Sequence, residues 1–172
     1  MTASPRSEPA GGATMRAVVA RRYGPPEVAE VATIARPAPG PDEVLVAVAA
    51  AGISRAALHL LTGRPLLLRL AGFGLRAPKN PVGVELAGTV AAVGERVTRL
   101  SVGDEVFGYG SGTCAEFAVA KAEKLAIRPD GLSAIEAAAL VDSASTALQA
   151  VRDRGKVRSG HRVLVLGASG GV

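Results

Sequence analysis

Five side chains and one backbone turn in this sequence carry reactive chemistry. Ser54 follows the turn AAGI and offers a hydroxyl that can donate a hydrogen bond to a substrate oxygen. His59 is a titratable imidazole, able to give up a proton near neutral pH if it borders a cleft. Glu85 interrupts the apolar run VGVELAGTV, where a carboxylate removed from water needs a partner. Tyr109 lies between glycines and Cys114 within an apolar stretch. Last, HRVLVL at 161–166 runs into Gly167, Ala168, Ser169, Gly170, Gly171 and Val172. A strand that opens onto a glycine turn can start a dinucleotide site, because glycine lets the backbone approach a pyrophosphate.

Each of these residues also has a purely structural reading. Ser54 is a good helix N-cap, and His59 on a short helix can be a half-exposed surface residue. Glu85 serves either as a residue behind a reaction cleft or as half of an ion pair with an arginine. Tyr109 either lines a pocket or packs a turn. Cys114 is a small buried filler, and the glycine turn can be no more than a turn.

Composition narrows the field. The chain has 172 residues, 48% of them hydrophobic and 20% charged, which suits a globular domain with a core of Ala, Val and Leu. A single cysteine excludes an intrachain disulfide framework and a multi-cysteine zinc site, and points to a reducing, cytoplasmic setting. Net charge is +5, but the arginines are scattered, without the basic stripe or stacking aromatics of a nucleic-acid surface. The apolar run from Val44 to Ile53 is half the length that spans a bilayer, so no membrane partner is expected.

The elements that must position these groups follow from pattern. Residues 1–14 read as a disordered lead. Strands are expected at 15–22, 27–35 and 43–51, with a short helix from Ser54 to Gly63. The basic, apolar segment 64–81 reads as a loop or hairpin at the rim of a site. Val82 to Val97 reads as strand–turn–strand about Gly94, followed by the strands EVFGYG, TCAEFAVA and KLAIRP. Many short strands separated by turns indicate a small barrel or sandwich. Ser133 and Glu136 form a capping box, then a helix that breaks and restarts near Asp142, Ser143 and Ser145 and ends at Gly155. A buried strand is expected at 161–166.

The segments GVELAGTVAAVG (83–94) and GDEVFG (103–108), AAGIS, CAEFAVA, KLAIRP, the helix bearing Ser145-Thr146-Ala147 and VLVLGASGGV occur in this order. Together they resemble the medium-chain dehydrogenase/reductase superfamily, and most closely its zinc-independent, quinone-oxidoreductase-type NAD(P)H reductases. The resemblance implies a mainly β chain: a GroES-like, partly open β-barrel at 15–132, then the start of a Rossmann domain at 133–172. It implies hydride transfer between NAD(P)H and a carbonyl, quinone or activated alkene, with enoyl reduction in lipid or polyketide synthesis as a narrower form. A catalytically silent GroES-like binding module is the alternative. NADP or NAD is expected only together with a full Rossmann domain, and dimerisation only in a full-length form. Ser54 and His59 are the catalytic candidates; Thr146 and residues 167–172 are the cofactor-binding ones. No metal is expected, since Ile53-Ser54 and Val84 stand where zinc-dependent relatives carry Cys and His. The zinc-free relatives usually carry Asn and Asp around the turn where this chain has Ser54 and Ala57.

Overall fold

The structure, a computed structural model, describes residues 12–67, 69–70, 74–78 and 80–172. Strands β1 (Thr14–Ala20) and β2 (Ala29–Ala35) form an antiparallel ribbon in which Thr14 already pairs with Ala35. The expected lead therefore gives way to strand at Thr14, and its first eleven residues lie outside the described residues. Five further strands make one antiparallel sheet: β3 (Glu43–Gly52), β4 (Glu85–Val93), β5 (Glu105–Tyr109), β6 (Phe117–Lys121) and β7 (Leu125–Ile127). Their order is β6-β3-β4-β5-β7. Helices α1 (Arg55–Thr62) and α2 (Ala134–Leu148) complete the regular structure.

The pleat explains how one sheet serves two packing layers. Val44, Val46, Leu86, Val90, Val106 and Leu125 are all at most 2% exposed and fill the concave side together with Ala118, Ala120 and Leu100. The opposite side of β4 presents Ala87, against which Ala137 and Ala138 of α2 pack. Alternation along β4 therefore divides a valine–leucine core from an alanine seam. The β1–β2 ribbon extends the sheet sideways: Val18 N–H donates to the Cys114 carbonyl (2.8 Å), Glu116 N–H to Arg16 (3.0 Å) and Val82 N–H to Val18 (2.8 Å). The two sheets do not close, in keeping with the partly open barrel that the sequence led us to expect.

Three local expectations change. Residues 82–97 hold one strand, not two; after Gly94 the Arg96 N–H donates to the Pro41 carbonyl, and Arg96 pairs with Asp42, which draws the chain away from β4. Helix α2 runs unbroken through Asp142, Ser143 and Ser145 and continues as a π-helical turn over Gln149–Arg154. Ser145 does not break it because its hydroxyl bonds back to the Val141 carbonyl of the same helix. The segment 161–166 is exposed and not a strand, because none of the described strands lies beside it to complete a ladder, and Leu166 already belongs to the turn that follows.

Between α1 and β4, the described part of the rim segment is anchored by Tyr23. Its hydroxyl donates to the Gly74 carbonyl (2.6 Å), and Arg69 lies over its ring while donating to the Gly63 carbonyl (3.1 Å). Helix α1 stops at Gly63, whose φ of 62° is the left-handed conformation that glycine adopts without strain.

The capping box at α2 forms as read. Glu136 N–H donates to the Ser133 hydroxyl oxygen (3.2 Å), and Ser133 N–H donates to the Glu136 carboxylate (2.9 Å). The Ser133 hydroxyl also donates to Glu136 Oε2 (2.6 Å), and this bond first, with the Ser133 N–H second, holds the Glu136 carboxyl below its usual range. Replacing Ser133 by Ala is expected to cost about 1 kcal/mol of unfolding free energy, measured by urea titration; no change in midpoint would disprove this role for the cap.

Candidate active-site cleft

Three strand ends lie in register at one edge of the sheet. Gly52 of β3 pairs with Glu85 of β4, and Glu85 pairs with Tyr109 of β5. Helix α2 crosses directly above them. A Cβ at position 52 would sit 2.7 Å from the Ala138 carbonyl oxygen and collide with Glu85 Oε2, so only glycine admits both helix and carboxyl here. Tyr109 latches the helix from the other side, its hydroxyl donating to the Val141 carbonyl (3.3 Å) and to Asp142 Oδ1 (3.2 Å).

A cleft of about 500 Å³ opens between the strand ends and the helix. Gly52, Ile53, Ser54 and Glu85 line one side; Ile135, Ala139 and Ser143, spaced four apart on a single helical stripe, line the other. Glu85 is 2% exposed, and its Oε1 has no hydrogen-bond partner. Among the described residues it has no ion-pair partner either, so the arginine pairing considered from sequence does not form. Burial pushes its carboxyl above the ordinary value of 4.5; the nearby Ser54 hydroxyl pulls the other way, and Asp142 adds repulsion.

Ser54 occupies the N-cap position of α1, yet its side chain makes no capping bond. Its hydroxyl is buried and has no partner in bonding geometry, so the capping reading leaves that group unexplained. His59 lies on the exposed face of α1 and is not part of the cleft lining. Thr146 is exposed on α2, three residues beyond Ser143. Residues 167–172 form an exposed turn in which Gly170 N–H donates to the Gly167 carbonyl (2.9 Å). This turn abuts the rim of the cleft: a Cβ at Gly171 would stand 3.0 Å from the Ser143 hydroxyl oxygen. Tyr109 and Cys114 surround Glu85 without lining the cleft; burial raises both their pKa values, and the Glu85 charge raises that of Cys114 further. Among the described residues no three His, Cys, Asp or Glu side chains are placed to share a metal ion.

Sequence reading missed Gly52, Asp142 and Ser143 as parts of this site. The stripe at 135, 139 and 143 was available as a signal, but the assumed helix break concealed it.

Residues 40–132 match the alcohol dehydrogenase GroES-like domain, just over half the chain. The chain belongs to this family. It is 34% identical over 169 residues to the mouse quinone oxidoreductase, an alignment covering 94% of this chain and 48% of that protein. It is 37% identical over 153 residues to a mycocerosic acid synthase-like polyketide synthase of Mycobacterium tuberculosis, covering 88% of this chain and 7% of that one. A mycobacterial protein solved in complex with NADPH superposes with a TM-score of 0.73 at 30% identity, over 85% of this chain and 43% of its own. The chain thus spans about half the length of the quinone oxidoreductases it matches. The medium-chain superfamily resemblance read from sequence stands. Among the described residues no helix is long and apolar enough to cross a membrane.

Two outcomes are expected from this geometry. Gly52→Ala should destabilise the fold by about 1–3 kcal/mol by forcing α2 off the sheet, read from denaturant unfolding; wild-type stability would show that the close approach is not needed. Glu85 in the unfolded chain ionises near 4.5, whereas the folded carboxyl keeps its proton to higher pH. The folded state then binds more protons, so stability falls as pH rises from 4.5 until the folded carboxyl has ionised. Glu85→Gln removes this slope, so its stability relative to wild type should improve with rising pH; parallel pH–stability curves would refute the assignment.

Proposed function

We propose that this chain forms the substrate-binding half of a zinc-independent, NADP(H)-dependent cytoplasmic oxidoreductase acting on small quinones, enones or carbonyl compounds. The observation that carries the reading is the cleft at the ends of β3 and β4, with a polar floor at Ser54 and Glu85 and an apolar wall at Ile135 and Ala139. A planar unsaturated ring fits such a lining: carbon against the helix, oxygen toward the hydroxyl. Likeness to a quinone oxidoreductase and to a protein that binds NADPH supports the same conclusion. The match to a polyketide synthase keeps enoyl reduction within the reading.

The residues present fit the cofactor. The glycine turn lies bare beside Ser143, and Thr146 is exposed one helical turn further along α2. Gly167, Ala168, Ser169, Gly170, Gly171 and Val172 would hold the phosphates, and Thr146 would border the nicotinamide. When bound, the reduced nicotinamide supplies a hydride. The chain supplies orientation and a donor for the oxygen on which negative charge develops. His59 remains a candidate proton donor only if the assembled enzyme extends the cleft toward α1. Zinc-independence rests on the donor set, since Ile53, Ser54 and Val84 offer one hydroxyl where a zinc site needs several N, S or O ligands.

The test is loss of nicotinamide absorbance when this half, joined to a full Rossmann domain, is mixed with NADPH and a small quinone, with and without a zinc chelator. Quinone-dependent oxidation untouched by the chelator is expected. Loss of activity on chelation would remove the zinc-free assignment. No oxidation with quinone, enone or aldehyde would favour a silent GroES-like binding module, a reading that the limited coverage of the longer relatives keeps in play.

A further inference from the structure

Two polar groups at the floor of the cleft remain uncommitted in the folded chain. The Ser54 hydroxyl stands where a helix cap normally bonds, but caps nothing, and Glu85 Oε1 next to it has no partner. A buried polar group left without a hydrogen bond costs the fold stability. Two such groups beside one open cleft suit a group that acts on a ligand, not one that holds the fold together.

The surroundings of Glu85 identify its working form. The groups that face it are Ser54 after β3, Asp142 on α2, Tyr109 on β5 and Cys114 before β6. None of them carries positive charge, and three, Asp142, Tyr109 and Cys114, ionise to anions. A buried carboxyl with acidic neighbours and no cation holds its proton to higher pH than a solvated one. In that range it can act as an acid, and of the buried, unbonded side-chain groups among the described residues (Ser54, Glu85 and Thr113) Ser54 is the one that lines the same cleft.

We propose that Ser54 and Glu85 form a proton-delivery pair: Ser54 donates to the substrate oxygen, and Glu85 replenishes Ser54. The proposal rests on the oxidoreductase reading above. As a hydride reaches the substrate carbon, a C–H bond forms and the π electrons move onto oxygen. That oxygen takes the Ser54 hydroxyl proton, and Ser54 takes the proton of Glu85. Glu85 is left as a carboxylate and is reprotonated from water in the cleft. The reductant is the dihydronicotinamide, which ends oxidised, so charge and atoms balance. Since Ser54 has no capping bond to break, its hydroxyl can turn from the floor into the cleft at little cost. Ser54 would touch substrate; Glu85 acts through it and is a positioning residue.

The same pair can be tested without cofactor. A donor at a carbonyl oxygen assists enolisation, so the chain alone should exchange the α-hydrogens of cyclohexanone for deuterium in D2O faster than buffer does. We expect the enhancement to fall as pH rises through the ionisation of Glu85. Ser54→Ala and Glu85→Gln should each lower it by about tenfold or more, while Ser54→Thr, which keeps a hydroxyl, should preserve it. Circular dichroism confirms that each variant is folded. In parallel, carbon-13 NMR of labelled glutamate should show one carboxyl that ionises at higher pH than the others and is absent in Glu85→Gln. Exchange no faster than buffer, exchange undiminished in folded Glu85→Gln, or glutamates that all ionise together would overturn the proposal. Absence of quinone-dependent NADPH oxidation alongside normal exchange would instead count against the oxidoreductase reading alone.

Discussion

The close approach of α2 to the ends of β3 and β4 governs the rest of this molecule. With no side chain at Gly52 and only methyl groups at Ala87, Ala137 and Ala138, the helix rests almost on the sheet backbone. That contact buries the Glu85 carboxyl, brings Asp142 within reach of Tyr109 and sets Ser143 opposite Ser54 across the cleft. Larger side chains along the seam would bury more apolar area. They would also lift the helix, hydrate the carboxyl and open the floor. Small residues here exchange packing area for proximity, and the electrostatics of the site follow from that choice.

The valine–leucine side of the sheet carries the opposite burden. Val44, Val46, Leu86, Val90 and Val106 are essentially solvent-free, in a core with few aromatics. Branched aliphatic side chains have few rotamers and pack closely on a pleated surface, so this layer keeps the strand ends in register. The register matters chemically, because a slip of one residue would turn Glu85 into the core and Leu86 toward the cleft. Two bulges in the β3–β4 pairing, at Leu45/Val46 and between Val48 and Ala50, adjust that register before the strands reach the site.

Most of the strands were legible because β-branched residues alternate between turn residues. Ser133 and Glu136 marked the start of α2 without ambiguity, as a capping box depends only on local spacing. What local pattern could not show was satisfaction at a distance. Asp142 and Ser145 look like helix breakers until Tyr109 from β5 donates to the first and the carbonyl of Val141 accepts from the second. Glu85 invited an arginine partner, yet the fold brings it none. HRVLVL has the composition of a buried strand, but composition cannot supply the neighbour that a ladder requires. The glycine turn was recognisable by type, whereas its proximity to Ser143 depends on the path of the chain after α2.

Because α2 is continuous, it acts as a rigid ruler laid across the site. Ala138 sits on the seam and Ser143 at the cleft, five residues apart, or about 7.5 Å along the axis. Tyr109 grips the helix between them at Val141 and Asp142. A displacement introduced at the seam therefore cannot dissipate before reaching the opening, since no break or kink intervenes. The width of the cleft is set by the thickness of an alanine methyl several ångströms away, and this molecule is most finely tuned where its side chains are smallest.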